Sequence, residues 1–358
     1  MRLTILTDIT ERTGSWIGRY EPLARELVKL GHRVTVLAPH PAYQTMRPQQ
    51  QLRWCDGVVV RYVGPCFFRE LRTRRRYVCT ATMLGRAART IARMVIEAHR
   101  TEYDVLIVAK PLPMASFAAL VLRGLRGRPI LVDCDDYELV TNNHQSRFQR
   151  LALQLVEAGM PRLANAVVTH SAFLERRLRA RGVASRQLHY VPNGIDVARL
   201  GDHPAPHARQ TGFIRVLYFG DLNVNSGHNV DLLLEAAALY AASANAAPFE
   251  LRIIGDGKDS ATLKVRAAQL GLDACVQWRG RIDPYEIRHE LEQADIVADP
   301  VSLSPGNLGR CPLKILEAMH CAIPVLTSDV GERRRLLQDA GMFVPAGEAG
   351  CLADGLAA

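Results

Sequence analysis

Short runs of Val, Ile, Leu and Ala alternate with longer stretches of helical periodicity, and this alternation limits the chain to few folds. In the first half of the sequence the apolar runs are Leu3–Thr7, Val34–Ala38, Val58–Val63, Val105–Ala109, Ile130–Cys134, Ala166–Thr169 and Leu188–Val191. Continuous apolar runs joined by helices are typical of a parallel sheet that is buried on both faces. The first half therefore predicts a doubly wound α/β domain.

The same alternation begins again after a segment rich in Pro and His at 201–207. The second set of runs is Ile214–Phe219, Phe249–Ile254, Cys275–Trp278, Ile296–Ala298, Val325–Leu326 and Met342–Val344. A chain of 358 residues, 48% of them hydrophobic, is too long for one ordinary core. We predict two tandem Rossmann-like α/β domains, over 1–198 and 213–358, joined by a linker at 199–212. Such sheets bind ligands at the carboxyl ends of their strands, so we expect the site in a cleft between two facing domains.

The cysteines and the apolar segments indicate a cytoplasmic protein. None of the eight cysteines forms a Cys-x-x-Cys pair, so we predict free thiols, as expected in a reducing compartment. The N-terminus becomes acidic at Asp8, too early for a signal peptide, and no apolar run reaches the roughly 18 residues of a membrane-spanning helix. We expect a protein that is soluble or peripheral on the inner face of the membrane.

Positive charge is concentrated in the first half of the chain. Residues 1–200 contain 31 basic and 16 acidic residues, a net charge of +15, whereas residues 201–358 contain 14 and 20, a net charge of −6. Between 51 and 100 there are eleven arginines and three acids. Five of these arginines precede an amphipathic helical pattern that runs from Leu84 to Ala98: Arg69, Arg72, Arg74, Arg75 and Arg76.

Two interpretations of these arginines remain open. One is a solvated helix face, with Arg86, Arg89, Arg93 and Arg100 lying off the apolar stripe. The other is a surface for an anionic partner, either membrane phospholipid or a lipid-linked or other glycan acceptor. Nucleic acid is not expected, because aromatic residues make up only 6% of the chain and no recognition motif accompanies the arginines.

Glycine-bearing loops follow predicted strands in both halves. After the first strand, Asp8–Trp16 is predicted to be a loop in which Gly14 and Ser15 either let the backbone approach a phosphate or form a simple turn. Ile254-Gly255-Asp256-Gly257 looks at first like a dinucleotide fingerprint. Ser260 stands in place of its third glycine, which argues against a nicotinamide cofactor.

The acidic run Asp133-Cys134-Asp135-Asp136 ends the predicted strand that begins at Ile130. Three roles fit an Asp-x-Asp arrangement at the carboxyl edge of a sheet. It could hold a divalent cation, it could form an Asx turn and a helix N-cap, or repulsion could raise the pKa of one carboxyl group for proton transfer. The sequence leaves all three open.

The segment Gly309–Met319 joins a glycine-bearing loop to a helix that carries Glu317. The first backbone N–H groups of such a helix can bind phosphate, and a carboxylate accepts hydrogen bonds from sugar hydroxyls, so the pairing suits a nucleotide sugar. The segment Val191-Pro192-Asn193-Gly194-Ile195-Asp196 reads as a turn. Its place just before the linker predicts a hinge.

Taken in order, these segments resemble the retaining glycosyltransferases of family 4, which have the two-domain GT-B fold, over nearly the whole chain. The matching segments are Gly31-His32-Arg33-Val34-Thr35-Val36, 191–196, 229–236, 254–257, Ala294-Asp295-Ile296 and Glu317-Ala318-Met319 with Pro324-Val325. The resemblance implies transfer of a sugar from a nucleoside-diphosphate sugar to a hydroxyl acceptor with retention, in envelope polysaccharide or glycolipid synthesis. It also implies that the second domain binds the donor, that the first binds the acceptor, and that no metal or other cofactor is needed.

The resemblance also assigns roles to individual residues. It implies that Glu317 accepts hydrogen bonds from the ribose and that Asp135, beside Asp136, stands where the family usually has a histidine near the reacting sugar. Both aspartates are therefore candidate catalytic residues. The implied donor-binding positions besides Glu317 are Gly14 and Ser15 near the phosphates, Gly280, Arg281 and Ile282 near the base, and Gly220, His228, Gly255, Gly309 and Arg310.

Three residues depart from the family pattern. Gly309 stands where a glutamate usually contacts the sugar, and Asp221 and His228 stand where an Arg and a Lys usually bind the phosphates. The charge that develops on a leaving diphosphate needs compensation, which we expect from Lys314 more than from Arg310 and which makes Lys314 the third candidate catalytic residue.

The departures keep two alternatives open. One is a GT-B-shaped binding or partner protein that has lost transfer activity, and the other is an epimerase or phosphorylase on the same architecture. Because the sequence ends at Ala358, the C-terminal helices usual in the family are expected to be missing.

Overall fold

The computed structural model describes residues 1–9, 14–66, 68–71, 74–141, 147–202, 212–244 and 246–358, with backbone alone at 68–71 and 74–77. It divides into two compact units, one comprising Met1–His170 with Leu174–Pro192 and the other Ser171–Phe173 with Asn193–Ala358. Most of the predicted linker, at 203–211, lies outside the described residues, as does Arg72. Each unit contains a largely parallel sheet accompanied by helices, so the predicted fold class is confirmed.

The first unit is built on an eight-stranded sheet and a separate antiparallel hairpin, β5–β6. Its strands are β1 (Arg2–Thr7), β2 (Arg33–His40), β3 (Leu52–Cys55), β4 (Val58–Pro65), β5 (Phe68–Leu71), β6 (Arg74–Tyr77), β7 (Val105–Ala109), β8 (Ile130–Cys134), β9 (Ala166–Thr169) and β10 (Leu188–Tyr190). The order across the sheet is β10-β9-β8-β7-β1-β2-β4-β3, and only the β3–β4 pair is antiparallel. The chain order therefore reverses at β1, between β7 and β2, as in a doubly wound sheet.

Helices cover both faces of the first sheet. They are α1 (Glu21–Lys29), which follows a single π-helical turn at Trp16–Tyr20, then α2 (Thr80–Thr101), α3 (Pro113–Arg126), α4 (Glu138–Thr141), α5 (Arg147–Leu163) and α6 (Ala172–Ala180). Met94 of α2, Met114 and Leu122 of α3 and Met160 of α5 share one buried cluster with the sheet. Trp16 and the residues near it pack on the opposite face. Helices α2, α3 and α5 therefore form one layer on one side of the sheet.

The second unit has a six-stranded, wholly parallel sheet. Its strands are β11 (Ile214–Phe219), β12 (Phe249–Ile254), β13 (Val276–Gly280), β14 (Ile296–Asp299), β15 (Val325–Ser328) and β16 (Gly341–Val344), in the order β13-β12-β11-β14-β15-β16. Its helices are α7 (Val197–Leu200), α8 (Val230–Ala241), α9 (Ser260–Gln269), α10 (Ile287–Glu292), α11 (Pro305–Leu308), α12 (Leu313–His320), α13 (Arg333–Leu337) and α14 (Ala349–Ala357). Renumbered within the unit, the strand order is 3-2-1-4-5-6, the order of a Rossmann dinucleotide fold.

The predicted strands agree with the observed ones to within two residues at each end, but three strands were missed. Strands β3, β5 and β6 are four residues long, and each carries arginine in place of a continuous apolar run. The eight cysteines are free, as predicted. Among the residues described, no helix combines the length and the apolar character needed to span a bilayer.

Two further predictions about the first unit were wrong. Gly14 and Ser15 begin a helical segment and are not part of a loop. Arg86 is buried and donates to the Cys66 carbonyl at 3.0 Å, whereas Leu84 is exposed. The buried stripe of α2 runs through residues that include Met83 and Met94, because the helix packs about one position away from the stripe read from the sequence.

Candidate functional site

Charged side chains of the first unit gather at the carboxyl edge of its sheet. Asp8 follows β1, Lys110 follows β7 and His170 follows β9, while the predicted residues Asp135 and Asp136 follow β8. Doubly wound sheets bind ligands at this edge, near the strand where the chain order reverses. These residues form the first candidate site.

Lys110 lies at the centre of this group. Its Nζ atom is 3.1 Å from Asp135 Oδ1, 2.7 Å from Asp136 Oδ2 and 2.9 Å from Glu138 Oε1. Burial disfavours the charge of Lys110, but the three carboxylates outweigh burial and raise its pKa well above the ordinary value. Its backbone has φ +68°, a left-handed conformation that costs free energy in a residue other than glycine. Lys110 is therefore a buried ammonium ion, held in place at some conformational cost.

The three carboxylates around Lys110 have the spacing of a cation site. One oxygen from each of Asp135, Asp136 and Glu138 lies within 4.8 Å of the others. Their common neighbour is the Lys110 ammonium, although Asp135 Oδ1 contacts it without hydrogen-bond geometry. Burial raises the pKa of Asp135 well above its usual value, even though Lys110 opposes this shift. A carboxyl group in this environment is suited to hold or transfer a proton.

Asp133 is held by a different partner. Arg19 donates from Nε and Nη2 to the two Asp133 carboxylate oxygens at 2.7 and 2.8 Å, a bidentate arrangement that fixes both side chains. Arg19 belongs to the π-helical turn Trp16–Tyr20, a type of distortion that is frequent at functional sites. Gly14 and Ser15 immediately precede this turn.

Two more titratable groups complete the edge of the first sheet. Asp8 accepts hydrogen bonds from the backbone N–H groups of Met114 and Ala115, at 2.8 and 2.6 Å, at the start of α3. Desolvation raises the pKa of the Asp8 carboxyl group to about 7. His170 is buried, and burial together with the charge of Arg19 lowers its pKa to about 4. The imidazole is therefore neutral near pH 7.

In the second unit, glycines let three strand-end loops pack backbone against backbone. Gly220 follows β11, Gly255 follows β12 and Gly280 ends β13, with φ of +149°, +138° and +65°. A Cβ atom on Gly255 would lie 1.8 Å from the Gly220 carbonyl oxygen. These loops therefore present backbone to the carboxyl edge of the sheet, where a phosphate or a sugar can approach closely.

Lys314, in the first turn of α12, reaches the same loops. Its Nζ atom lies 3.3 Å from Asp299 Oδ1 and 4.1 Å from the centre of the Tyr218 ring, and a Cβ atom on Gly220 would lie 3.4 Å from it. Asp299 also accepts a hydrogen bond from Arg333 Nε at 2.6 Å. Burial favours the neutral form of Asp299, but the charges of Arg333 and Lys314 outweigh burial and lower the pKa of Asp299 below its usual range. Burial also lowers the pKa of Lys314. Two cations thus share the Asp299 carboxylate.

Glu317 lies on α12, three residues after Lys314, and is paired with Arg199 of α7. The Arg199 Nη2 group donates to Glu317 Oε1, and both side chains are more than nine-tenths buried. Arg199 also donates from Nη1 to the Pro284 carbonyl oxygen at 3.2 Å. A single guanidinium therefore links the predicted ribose-binding carboxylate to the segment just after Gly280, Arg281 and Ile282, which was predicted to lie near the base.

The turn predicted to be a hinge positions Arg199. Asp196 caps α7 by accepting a hydrogen bond from the Ala198 N–H group at 3.1 Å. Leu200 is buried in the same core cluster as residues of α12. The segment Pro192–Asp196 is thus the lead into a short helix that presents an arginine to α12.

The remaining predicted donor residues lie in loops of the second unit. Arg310 donates from Nη1 to Asn307 Oδ1 at 3.1 Å, and Gly309 has an ordinary φ of −80° at the end of α11. The His228 carbonyl oxygen accepts from Val230 N–H just before α8. Burial raises the pKa of Asp221, the residue that departs from the family pattern at this position.

Sequence reasoning missed many side chains that build these two groups. They are Asp8, Arg19, Lys110, Glu138 and His170 in the first unit, and Arg199, Asp299, Asn307 and Arg333 in the second. Asp8, Lys110, His170 and Asp299 had a usable signal, because each is a titratable residue directly after a predicted strand. The arginines had none, since nothing in their helical surroundings distinguishes them from solvated arginines.

Two family models match the chain and together cover nearly all of it. The model of the Glycosyl transferase 4-like domain matches residues 17–194, and the model of Glycosyl transferases group 1 matches residues 214–358. The chain belongs to the glycosyltransferases. The predicted enzyme class is therefore confirmed, and no observation favours the binding protein without transfer activity.

A mannosyltransferase resembles the chain over most of its length. The phosphatidyl-myo-inositol mannosyltransferase of Mycolicibacterium smegmatis is 26% identical over 341 residues, which are 94% of this chain and 77% of the relative. The name of that protein describes transfer of mannose to phosphatidyl-myo-inositol.

Solved structures share the fold of this glycosyltransferase. Sucrose-phosphate synthase from Thermosynechococcus elongatus superposes with a TM-score of 0.77 at 17% identity, over 99% of this chain and 89% of that one. Alr3699/HepE of Anabaena, solved with UDP-glucose, superposes with a TM-score of 0.70 at 19% identity, over 99% and 88%. At these identities the likeness establishes the GT-B fold alone.

Proposed function

We propose that the enzyme transfers a sugar from a nucleoside-diphosphate sugar to a hydroxyl acceptor with retention of anomeric configuration. One observation carries the donor assignment: Lys314 and Glu317 lie three residues apart on α12, at the edge where glycine loops expose their backbone. Residues with that spacing lie on the same face of a helix. An ammonium ion suits a diphosphate and a carboxylate suits ribose hydroxyls, so the pair matches the two halves of a nucleoside diphosphate.

In this proposal the second unit binds the donor from base to phosphate. The backbone of Gly280, Arg281 and Ile282 faces the base, and Glu317, oriented by Arg199, accepts hydrogen bonds from the ribose. The phosphates then meet the backbone of Gly220 and Gly255, the side chains of Lys314, Arg310 and His228, and the chain at Gly309. The UDP-glucose complex of the Anabaena protein supports a nucleoside-diphosphate sugar as the donor, and titration with different nucleotides identifies the base.

Departure of the diphosphate is the step that the second unit promotes. Breaking the bond between the sugar and the phosphate leaves negative charge on the phosphate oxygen, and Lys314 neutralises it with help from Arg333 behind Asp299. The buried carboxylates Asp299 and Glu317 are both in ion pairs, so neither is suited to attack the sugar. We therefore favour a mechanism in which the unit assists departure of the diphosphate and the acceptor hydroxyl enters on the same face of the sugar. A covalent intermediate on a carboxylate of this unit is disfavoured.

The first unit supplies the acceptor side of the proposal. Asp135 and Asp136 are the proposed catalytic carboxylates, with Asp135 kept in an environment that favours proton transfer, and Gly14 and Ser15 approach the donor phosphates. Lys110 already fills the position among the carboxylates where a divalent cation would bind. We therefore propose transfer without metal, and activity should survive dialysis against EDTA.

The acceptor in this proposal is anionic and linked to a lipid, used in glycolipid or envelope polysaccharide synthesis at the inner face of the membrane. The charge of +15 over residues 1–200 supports an anionic partner. The lipid named as substrate of the Mycolicibacterium smegmatis relative supports the same class.

The test is nucleotide release from a panel of UDP-, GDP- and ADP-sugars, with lipid extracts as acceptors. We expect one donor to turn over, and Lys314→Met to slow that turnover on the order of 10²–10³-fold, the effect of removing one charge-stabilising donor. Lys264→Met is the matched control, since Lys264 is an exposed lysine of the same unit. NMR of the product should show the anomeric configuration of the donor. Release that is equal in all three proteins would contradict the assignment.

A further inference from the structure

The outer surface of the layer formed by α2, α3 and α5 is unusually apolar. Helix α3 packs against both of the others, and each helix exposes an apolar stripe at spacings of three or four residues. The exposed large side chains are Leu84 and Ile96 of α2, Phe117, Val121 and Leu125 of α3, and Phe148, Leu151 and Leu155 of α5, each 40% to 61% exposed. On α2 the exposed residues Ala88 and Ala92 connect Leu84 to Ile96. We call these side chains the three-helix surface.

Arginines accompany the three-helix surface, and acids are almost absent from it. The three helices together contain nine arginines and two glutamates. Six of the arginines are exposed on the same helices: Arg89, Arg100, Arg123, Arg147, Arg150 and Arg162. Glu97 is paired with Arg61 and Arg100, and Glu157 is buried, where it accepts from the Leu139 backbone N–H group. The accessible charge of this layer is therefore positive.

We infer that the three-helix surface docks on an anionic lipid bilayer. Adjacent apolar side chains of this extent, surrounded by cations, match the interface of a charged membrane, where leucine and phenylalanine enter the acyl boundary and arginine meets phosphate. A second copy of the chain is a poorer occupant, because two such faces would bring arginines against arginines with few acids to pair with them. The inference deepens the proposed function by naming the surface that brings the enzyme to a lipid acceptor.

The experiment is co-sedimentation with vesicles of phosphatidylcholine alone and of phosphatidylcholine with phosphatidylglycerol at 3:1. We expect the protein to bind the anionic vesicles. High salt should lower the partition coefficient by about fivefold for each arginine that contacts lipid phosphate. Leu151→Ser with Leu155→Ser should lower the partition coefficient on the order of tenfold, because two inserted side chains are lost. Leu239→Ser is the matched control, since Leu239 is a similarly exposed leucine of α8 in the second unit.

Several results would overturn the inference. One is the absence of binding to either vesicle type, and another is equal loss in the Leu239→Ser control. A third is binding that responds to salt but not to the two leucine substitutions. If the protein is a dimer by light scattering and the substitutions make it a monomer, the surface is an interface between copies.

Circular dichroism establishes that the variants fold, and transfer to a detergent-dispersed acceptor should persist in the double variant. Loss of vesicle binding alone is then distinguishable from failure of the proposed sugar transfer.

Discussion

Removing the Arg199 guanidinium should reveal how tightly it is coupled to Glu317. Their side chains are 7% and 8% exposed, so Arg199→Met leaves a buried carboxylate without its cation. Breaking a buried pair in this way costs about 3–5 kcal/mol of unfolding free energy. In a Glu317→Leu background Arg199 is itself an unpaired buried cation, so the same Arg199→Met change relieves that charge and should cost less than about 1 kcal/mol. Chemical denaturation of the four proteins should therefore give a coupling energy of at least about 2 kcal/mol.

The same variant tests whether the pair serves the nucleotide. If Arg199 orients Glu317 toward ribose, the wild-type protein should prefer UDP to 2′-deoxy-UDP by roughly tenfold, the value of one hydrogen bond to a charged group, and Arg199→Met should abolish that preference. GDP and its deoxy form replace UDP if guanosine is the bound base. Arg266→Met is the control, because the Arg266–Glu235 pair is 44% and 42% exposed and such pairs contribute little. Equal destabilisation by Arg199→Met in both backgrounds, or an unchanged preference for ribose, would refute this reasoning.

Three further predictions concern other parts of the two units. Lys314→Met should weaken binding of a nucleoside diphosphate by at least about tenfold in calorimetric titration but leave the nucleoside unaffected, because the partner we propose for Lys314 is the diphosphate. Equal loss for both ligands would contradict that role. In chemical denaturation, Gly255→Ala should lower the free energy of unfolding by about 2–4 kcal/mol, because the new Cβ atom would lie 1.8 Å from the Gly220 carbonyl oxygen. Gly14→Ala should be neutral in the same assay, because no atom lies within 4 Å of its Cβ position. The pKa of His170 is about 4 in the folded protein, against 6.5 ordinarily, so its contribution to stability is present above pH 6.5 and is lost as pH falls toward 4, because the unfolded chain binds the extra proton. His170→Gln should therefore reduce the pH dependence of the unfolding free energy across that range. An unchanged pH dependence would count against the buried neutral imidazole.

The sequence was sufficient for most of the strands and for the fold class of two parallel-sheet α/β units. A strand that is buried on both faces needs a continuous apolar run such as Val105–Ala109, and such a run can be recognised in the sequence. Strand β3 lacked that signal, because an edge strand needs only one partner and tolerates arginine. The exposed side of α2 was also predicted wrongly. The helix packs about one position away from the predicted apolar stripe, so that Arg86 is buried and Leu84 is exposed.

Less of the site could be read in advance, because its contacts join distant parts of the chain. Glu317 and Lys314 share a local motif, so both could be predicted as site residues from the sequence. Lys110 and Asp135 are 25 residues apart in sequence, and only the parallel pairing of β7 with β8 brings their side chains together. Arg199 and Glu317 are still further apart, and a surface arginine has the same local sequence as a buried one. Long-range pairing of charges is what a single sequence leaves undetermined.

The most direct test of the account is a calorimetric titration of the protein and of Glu317→Gln with UDP, GDP and ADP. The account predicts that at least one diphosphate binds the unaltered protein and that the substitution weakens it by roughly tenfold or more, because the ribose loses a charged acceptor. Saturable binding that is equally strong in both proteins would contradict the role of the α12 carboxylate, and failure of all three nucleotides to bind would contradict a donor site in the second unit.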